Sequence, residues 1–224
     1  MRRAAALLLA LAATAAPARE VALDVGHHAA APGVVSAAGI AEFEYNLALA
    51  RDVRAELERR GLRVRMIGAG GDYAVLAQRT RAARGADLFL SIHHDSVQEA
   101  LLARAAQFAG FSLFVSRANP RLAESLACAS AIGARLRAAG FAPSRYHADP
   151  VPGENRPFAD EANGVHYHDN LAVARTAQMP AVLVEAGVIV NSEEEARMRD
   201  PRIRRRIAAA LAEGAQLCLM RRDD

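Results

Sequence analysis

Four of the seven histidines in this 224-residue chain stand as adjacent pairs, His27–His28 and His93–His94. Each pair follows an apolar run: "VALDV" leads through Gly26 to the first, and "DLFLSI" leads to the second. A third apolar run, "AVLV", meets Glu185. Two neutral imidazoles and one carboxylate make a zinc-binding set that leaves a fourth position to water. His27 and His93 can supply the imidazoles, although spacing does not choose between the members of either pair. The carboxylate candidates are Asp24, Glu42, Glu44, Asp95 and Glu185, and spacing does not select among these either. A lone histidine at a strand end is ordinarily a hydrogen-bonded residue and nothing more. Two such ends with His and a third with Glu argue for a metal site.

Those groups meet only if the runs are neighbouring strands. The chain alternates strand and helix patterns: strands at 20–25, 62–67, 87–92, 111–116 and 181–189, helices at 44–61, 72–85 and 120–140, and one or two helices at 192–220. Gly61, Gly85 and Gly140 stop three of the helices, and Ser192 with Glu195 forms a capping box at the start of the fourth. Such alternation predicts one α/β domain with a mostly parallel, mixed sheet and helices on both faces. In open sheets of this class ligands bind beyond the carboxyl ends of the strands, where the ionisable residues lie. Two segments break the alternation. Residues 95–110 read as a helical insertion. Residues 142–168 read as a long polar loop holding His147, His166 and His168. A loop of that length is commonly functional or disordered. If it is extended, His166 and His168 face the same side and serve a lid or substrate wall.

Composition bounds the rest. Hydrophobic content of 52% with 24% charged residues is that of a globular domain, with Ala, Leu and Val filling a core short of aromatics. Residues 1–18 carry Arg2 and Arg3, an apolar stretch too short to anchor in a bilayer, and "APA", the order of a cleaved signal peptide. This predicts export, with residues 19–224 as the mature domain. Cleavage removes two Arg and no acid, so the formal charge falls from +3 to +1, which argues against a nucleic-acid partner. Cys128 and Cys218 can pair in an oxidising compartment or serve as small core residues.

The stretches "LDVGHH", "IAEFEYNLALA", "DLFLSIHHDS", "GFSLFV" and "MPAVLVEAGVIVNSEEE" together resemble the zinc-dependent N-acetylmuramoyl-L-alanine amidases of the Amidase_3 type, over roughly residues 20–215. The resemblance implies a phosphorylase/hydrolase-like fold. It implies Zn2+ ligands at His27, at Glu42 rather than Glu44 (four residues before Asn46–Leu47), and at His93. It implies a catalytic Glu185. Two departures stand out: His28 replaces a common Gly, and His94–Asp95 replaces a common Ala-Asn.

The resemblance also implies an activity and a compartment: a periplasmic hydrolase of the amide between N-acetylmuramic acid and L-alanine in peptidoglycan. Zinc lowers the pKa of a water, and Glu185 serves as general base and then acid. An activator protein is a possible partner, no membrane segment remains after cleavage, and a monomer is expected. Asp24 is a candidate hydrogen-bond partner for a ligating imidazole or for local backbone N–H groups. Arg79 and Arg81 are candidates to meet stem-peptide carboxylates, but a solvated helix face is the preferred reading for them, as it is for the run 202–206. Two other classes compete: a non-catalytic wall-binding protein, against which the presence of Glu185 argues, and a zinc peptidase acting on stem peptides.

Overall fold

The structure, a computed structural model, describes residues 18–151 and 153–220. The expected signal sequence, apart from Ala18, lies outside these residues. Seven strands form one sheet: β1 (Glu20–Val25), β2 (Arg63–Ile67), β3 (Leu88–Asp95), β4 (Ser112–Val115), β5 (Phe158–Asp160), β6 (Val165–Tyr167) and β7 (Ala181–Val188). Their order is β2-β1-β3-β7-β4-β6-β5. The four strands from β2 to β7 are parallel; β4 runs antiparallel to β7, β6 parallel to β4, and β5 antiparallel to β6. The mostly parallel, mixed sheet expected from the sequence is the one observed.

Alternation along the strands divides the core. Val21, Leu23, Val25, Leu88, Leu90, Ile92, Leu113, Val115, Val182 and Val184 face α1 (Glu42–Arg59), α3 (Leu122–Ala138) and α6 (Pro201–Met220). Ala22, Phe89, Phe114, Ala181 and Leu183 face the other way, toward α2 (Leu76–Ala82) and α4 (Ala172–Thr176). The second face is covered by helices of only 7 and 5 residues. Near the carboxyl ends the same face carries Asp24, Ser91, His93 and Glu185, with Asp24 buried beneath Arg79 of α2.

Several expectations are corrected. The helix expected from residue 44 begins at Glu42, which brings that carboxylate into its first turn. The terminal region, expected as one or two helices, is two, α5 (Ser192–Arg199) and α6, but the cap of α5 is Asn191 rather than Ser192. Asn191 is extended, and its side chain accepts from the N–H groups of Glu193 and Glu194; Glu195 instead accepts from the Tyr45 hydroxyl. The insertion at 95–110 forms a 3₁₀ segment at Glu99–Gln107. Residues 142–168 are not a loop throughout, because β5 and β6 within them extend the sheet at its edge. Among the described residues no helix is long and apolar enough to cross a membrane.

Helices α3 and α6 are joined by a Cys128–Cys218 disulfide whose Cα atoms are 4.8 Å apart. Gly214 makes their approach possible: a Cβ there would lie 2.4 Å from the Ile132 Cα and 2.8 Å from its nitrogen. Both obstacles are backbone, so the helices themselves must part. Gly214→Ala is therefore expected to destabilise the fold by about 1–3 kcal/mol, despite the better helix propensity of alanine. Urea unfolding measures this; a midpoint at or above that of the parent would show that the contact is not close.

Candidate metal centre and active site

β1 ends at Val25, and the chain turns at once through Gly26 and His27. His27 adopts a left-handed backbone conformation (φ 66°), rare for a residue with a side chain. The turn aims its ring at α1, where Nε2 lies 2.8 Å from Glu42 Oε2. From β3, His93 Nδ1 lies 3.0 Å from Glu42 Oε1. One ligand atom from each of His27, Glu42 and His93 falls within 4.8 Å of the others. Two imidazole nitrogens and a carboxylate oxygen so converged match the donor set of a zinc site with an open position. Burial alone would raise the Glu42 carboxyl, but hydrogen bonds and charge from His27 and His93 hold it well below the usual carboxylate range.

Two glycines leave room for this cluster. A Cβ on Gly26 would sit 2.3 Å from the His93 ring, and one on Gly33 (φ 83°) 2.5 Å from Glu42 Oε2. The sequence reading missed Gly33, which nothing in its neighbourhood singles out. Asn46, one turn after Glu42, donates to Glu42 Oε1 (3.1 Å) and to the Gly26 carbonyl (3.3 Å). Its own oxygen faces His94 Nδ1 at 2.8 Å. His94 is buried on the α1 side of β3. Burial, with the charge of His93 adding to it, pushes its pKa down to about 4, so it is neutral and donates to Asn46. The two members of the doublet thus do different things, one facing the cluster and one bracing α1 from behind.

Glu185 lies on β7 directly beside His93 in the parallel register. Its Oε2 is buried and has no hydrogen-bond partner. Burial, then the charges of Asp95 and Glu42, raise its pKa well above that of an ordinary glutamate, against a smaller opposing effect of Arg156. Asp95 in turn accepts from the Tyr146 hydroxyl and from His147 Nε2 at 2.7 Å. His147 Nδ1 lies 2.8 Å from Glu154 Oε2 and 2.9 Å from Arg156 Nη1, whose guanidinium also pairs with Glu154. Burial would lower the His147 pKa, but the two carboxylates raise it above that of an ordinary histidine. The segment after residue 142 is thereby fastened to the end of β3. His166 and His168 do lie on one side, each with its ring 5.6 Å from Phe114, and neither belongs to the metal cluster.

Other readings change. Arg79 is not on a solvated face: it and Asp24 are each 1% exposed and paired at 2.7 Å. Asp24 therefore serves neither an imidazole nor backbone N–H groups; its second oxygen accepts from Ser91 Oγ at 2.7 Å. Arg81 is exposed, and Glu44 points to solvent away from the cluster. His28 borders a groove of about 380 Å3 that runs past His27 and His93 between α2 and α4, with Leu76, Val173 and Leu183 among its walls.

The profile of the N-acetylmuramoyl-L-alanine amidase family of Amidase_3 type matches residues 21–216. The chain is 28% identical to the N-acetylmuramoyl-L-alanine amidase AmiA of Escherichia coli K12, over 88% of this chain and 74% of AmiA. It is 30% identical to the probable amidase AmiB of Haemophilus influenzae, over 87% of this chain and 50% of AmiB. Among solved structures, the catalytic domain of the amidase CwlV from Bacillus (Paenibacillus) polymyxa var. colistinus is similar at TM-score 0.70 and 27% identity, covering 89% of this chain and 97% of that one. Ami1 of Mycobacterium smegmatis shares the fold at TM-score 0.73 and 24% identity, over 91% and 97% of the two chains. Matched along nearly all of its described length by this profile, the chain belongs to the N-acetylmuramoyl-L-alanine amidase family.

Proposed function

We propose that the chain hydrolyses the amide between N-acetylmuramic acid and L-alanine in peptidoglycan, with zinc held by His27, Glu42 and His93 and with Glu185 as general base and acid. The observation that carries this is the convergence of those three ligand atoms within 4.8 Å beside an unpartnered buried carboxylate oxygen. Zinc at such a site supplies a polarised water near neutral pH and electrostatic stabilisation of developing oxyanion charge. The protein's own groups do the rest. Glu42 is kept ionised by its two histidines and oriented by Asn46. Glu185, its pKa raised well above that of an ordinary glutamate by burial, would accept a proton from water and return it to the leaving amine of L-alanine.

Two substitutions separate the roles. His93→Ala is expected to lose both zinc and activity, whereas Glu185→Gln keeps zinc and slows turnover by ~10²-fold or more. Elemental analysis alongside muropeptide release from purified peptidoglycan reads both. Near-normal hydrolysis by zinc-loaded Glu185→Gln protein would exclude the general base. Shortened stem peptides in place of intact ones would turn the reading to a peptidase.

Residues 146–151 and 153–157 serve in this reading as a wall beside Glu185, fixed by His147 between Asp95 and Glu154. The folded-state pKa of His147 is raised above its unfolded value, so the stabilisation is complete below about pH 6.5 and is lost as pH rises through the folded value. The stability difference between the parent and His147→Gln, measured in chelator, is expected to shrink from pH 6 to pH 9. A difference that grows with pH would mean that His147 is not held as a cation.

Export through residues 1–18 and a periplasmic site of action complete the proposal, since the substrate lies outside the cytoplasm. N-terminal sequencing of the protein recovered from the cell envelope is expected to begin at Arg19. An unprocessed cytoplasmic product would sink both the export and the substrate.

A further inference from the structure

The left-handed backbone of His27 needs a restraint, because an L-residue left to itself prefers φ < 0. The structure holds such a restraint in one side chain. Arg79 Nη1 donates to the Val25 carbonyl (2.5 Å) and to Asp24 Oδ1 (2.7 Å). Nη2 donates to the His27 carbonyl and to the Tyr73 carbonyl, the latter at 2.9 Å. Nε shares the Tyr73 carbonyl at 3.2 Å. Every N–H of the guanidinium is therefore used, and two of its acceptors are the carbonyls on either side of Gly26.

The surroundings are shaped to keep the group there. Gly68 (φ 73°) packs against it, and a Cβ at that position would lie 2.8 Å from Arg79 Nη1. Asp24 neutralises the buried charge and passes the connection to Ser91, two residues before His93 on the neighbouring strand. A pair placed only to hold α2 on the sheet would not need to grip the backbone of the His27 turn.

We propose that Arg79 is a positioning residue of the metal centre: by bridging the Val25 and His27 carbonyls it holds His27 in the conformation that aims its imidazole at Glu42 and His93, and so sets zinc affinity. This rests on the zinc reading given above. A lysine cannot replace it, because one ammonium lacks the flat, forked donor set that spans acceptors on both strands of the turn.

The test is zinc affinity by competition with a chromophoric chelator, together with the visible spectrum of the cobalt-substituted protein. Wild type, Arg79→Lys and the double variant Asp24→Asn/Arg79→Gln are compared below their unfolding temperatures. The double variant removes both charges together, so it leaves no uncompensated buried ion and keeps the comparison available if Arg79→Lys does not fold. Both variants are expected to bind zinc ~10–100-fold more weakly, with an altered cobalt spectrum reporting changed ligand geometry. Folded variants whose affinity stays within about threefold of wild type and whose cobalt spectrum is unchanged would overturn the proposal and leave Arg79 a purely structural pair. A wild-type protein that binds no zinc, or a His93→Ala variant that binds it as tightly as wild type, would instead overturn the zinc reading itself.

Discussion

The site hangs on a carboxylate that comes from the wrong side of the sheet. Glu42 stands in the first turn of α1, a helix that packs on the face opposite to His93 and Glu185, and it reaches the histidines only over the carboxyl edge of the strands. Its two oxygens are divided between His27 and His93. Any slide of α1 along β1 and β3 would break both contacts. The large core cluster that locks Leu49, Val53 and Leu57 against the sheet is therefore also what fixes the geometry of the His27–Glu42–His93 cluster. Asn46 and His94 repeat the constraint locally, since Asn46 ties Glu42 to the Gly26 carbonyl and is itself held by a buried neutral imidazole.

Two carboxylates close to one another are driven apart in pKa by what surrounds them. Glu42 has cationic or donating partners and stays ionised far into acid. Glu185 has an unpartnered oxygen and two anionic neighbours, and its proton is held far more tightly. Acid and base assignments follow from such a divergence. Glu185 Oε2 is one of six buried side-chain atoms without a hydrogen-bond partner among the described residues, and the one that belongs to a carboxylate, where an unmet hydrogen bond is costly.

How much of this was legible depended on the range of the interaction involved. The strands were readable because burial on both faces leaves continuous apolar runs, and the convergence of His27, His93 and Glu185 followed from the placement of strand ends in an open sheet. Spacing could not separate Glu42 from Glu44. Both are acids two positions apart on a helix start, and the choice rested on resemblance. Arg79 was misread because an arginine among polar residues on a short helix has the same local pattern whether it faces water or a partner 55 positions away. Residues 142–168 were misread because β5 and β6 are three residues each, too short to show a period. What holds them is distant: the edge of β4, and the Gly133 surface of α3, where a Cβ would strike the Asn163 carbonyl at 2.1 Å.

The His93–His94–Asp95 run shows how one strand serves two faces. The pleat sends His93 toward Glu185 and His94 toward α1, so adjacent imidazoles have unlike surroundings although the sequence makes them look equivalent. Asp95 returns to the side of Glu185. A carboxylate there adds to the negative charge that Glu42 and Glu185 already bring. The segment that departs most from the strand-helix pattern supplies its partner: His147, raised in pKa by Asp95 and Glu154, lies 2.7 Å from Asp95, with Arg156 2.9 Å from its other nitrogen. The acid on β3 and the histidine 52 positions later thus form one buried contact. Without His147, Asp95 would keep the Tyr146 hydroxyl and the Ser96 N–H as donors but would lose its imidazole partner beside Glu185, and breaking a buried pair from one side is costly.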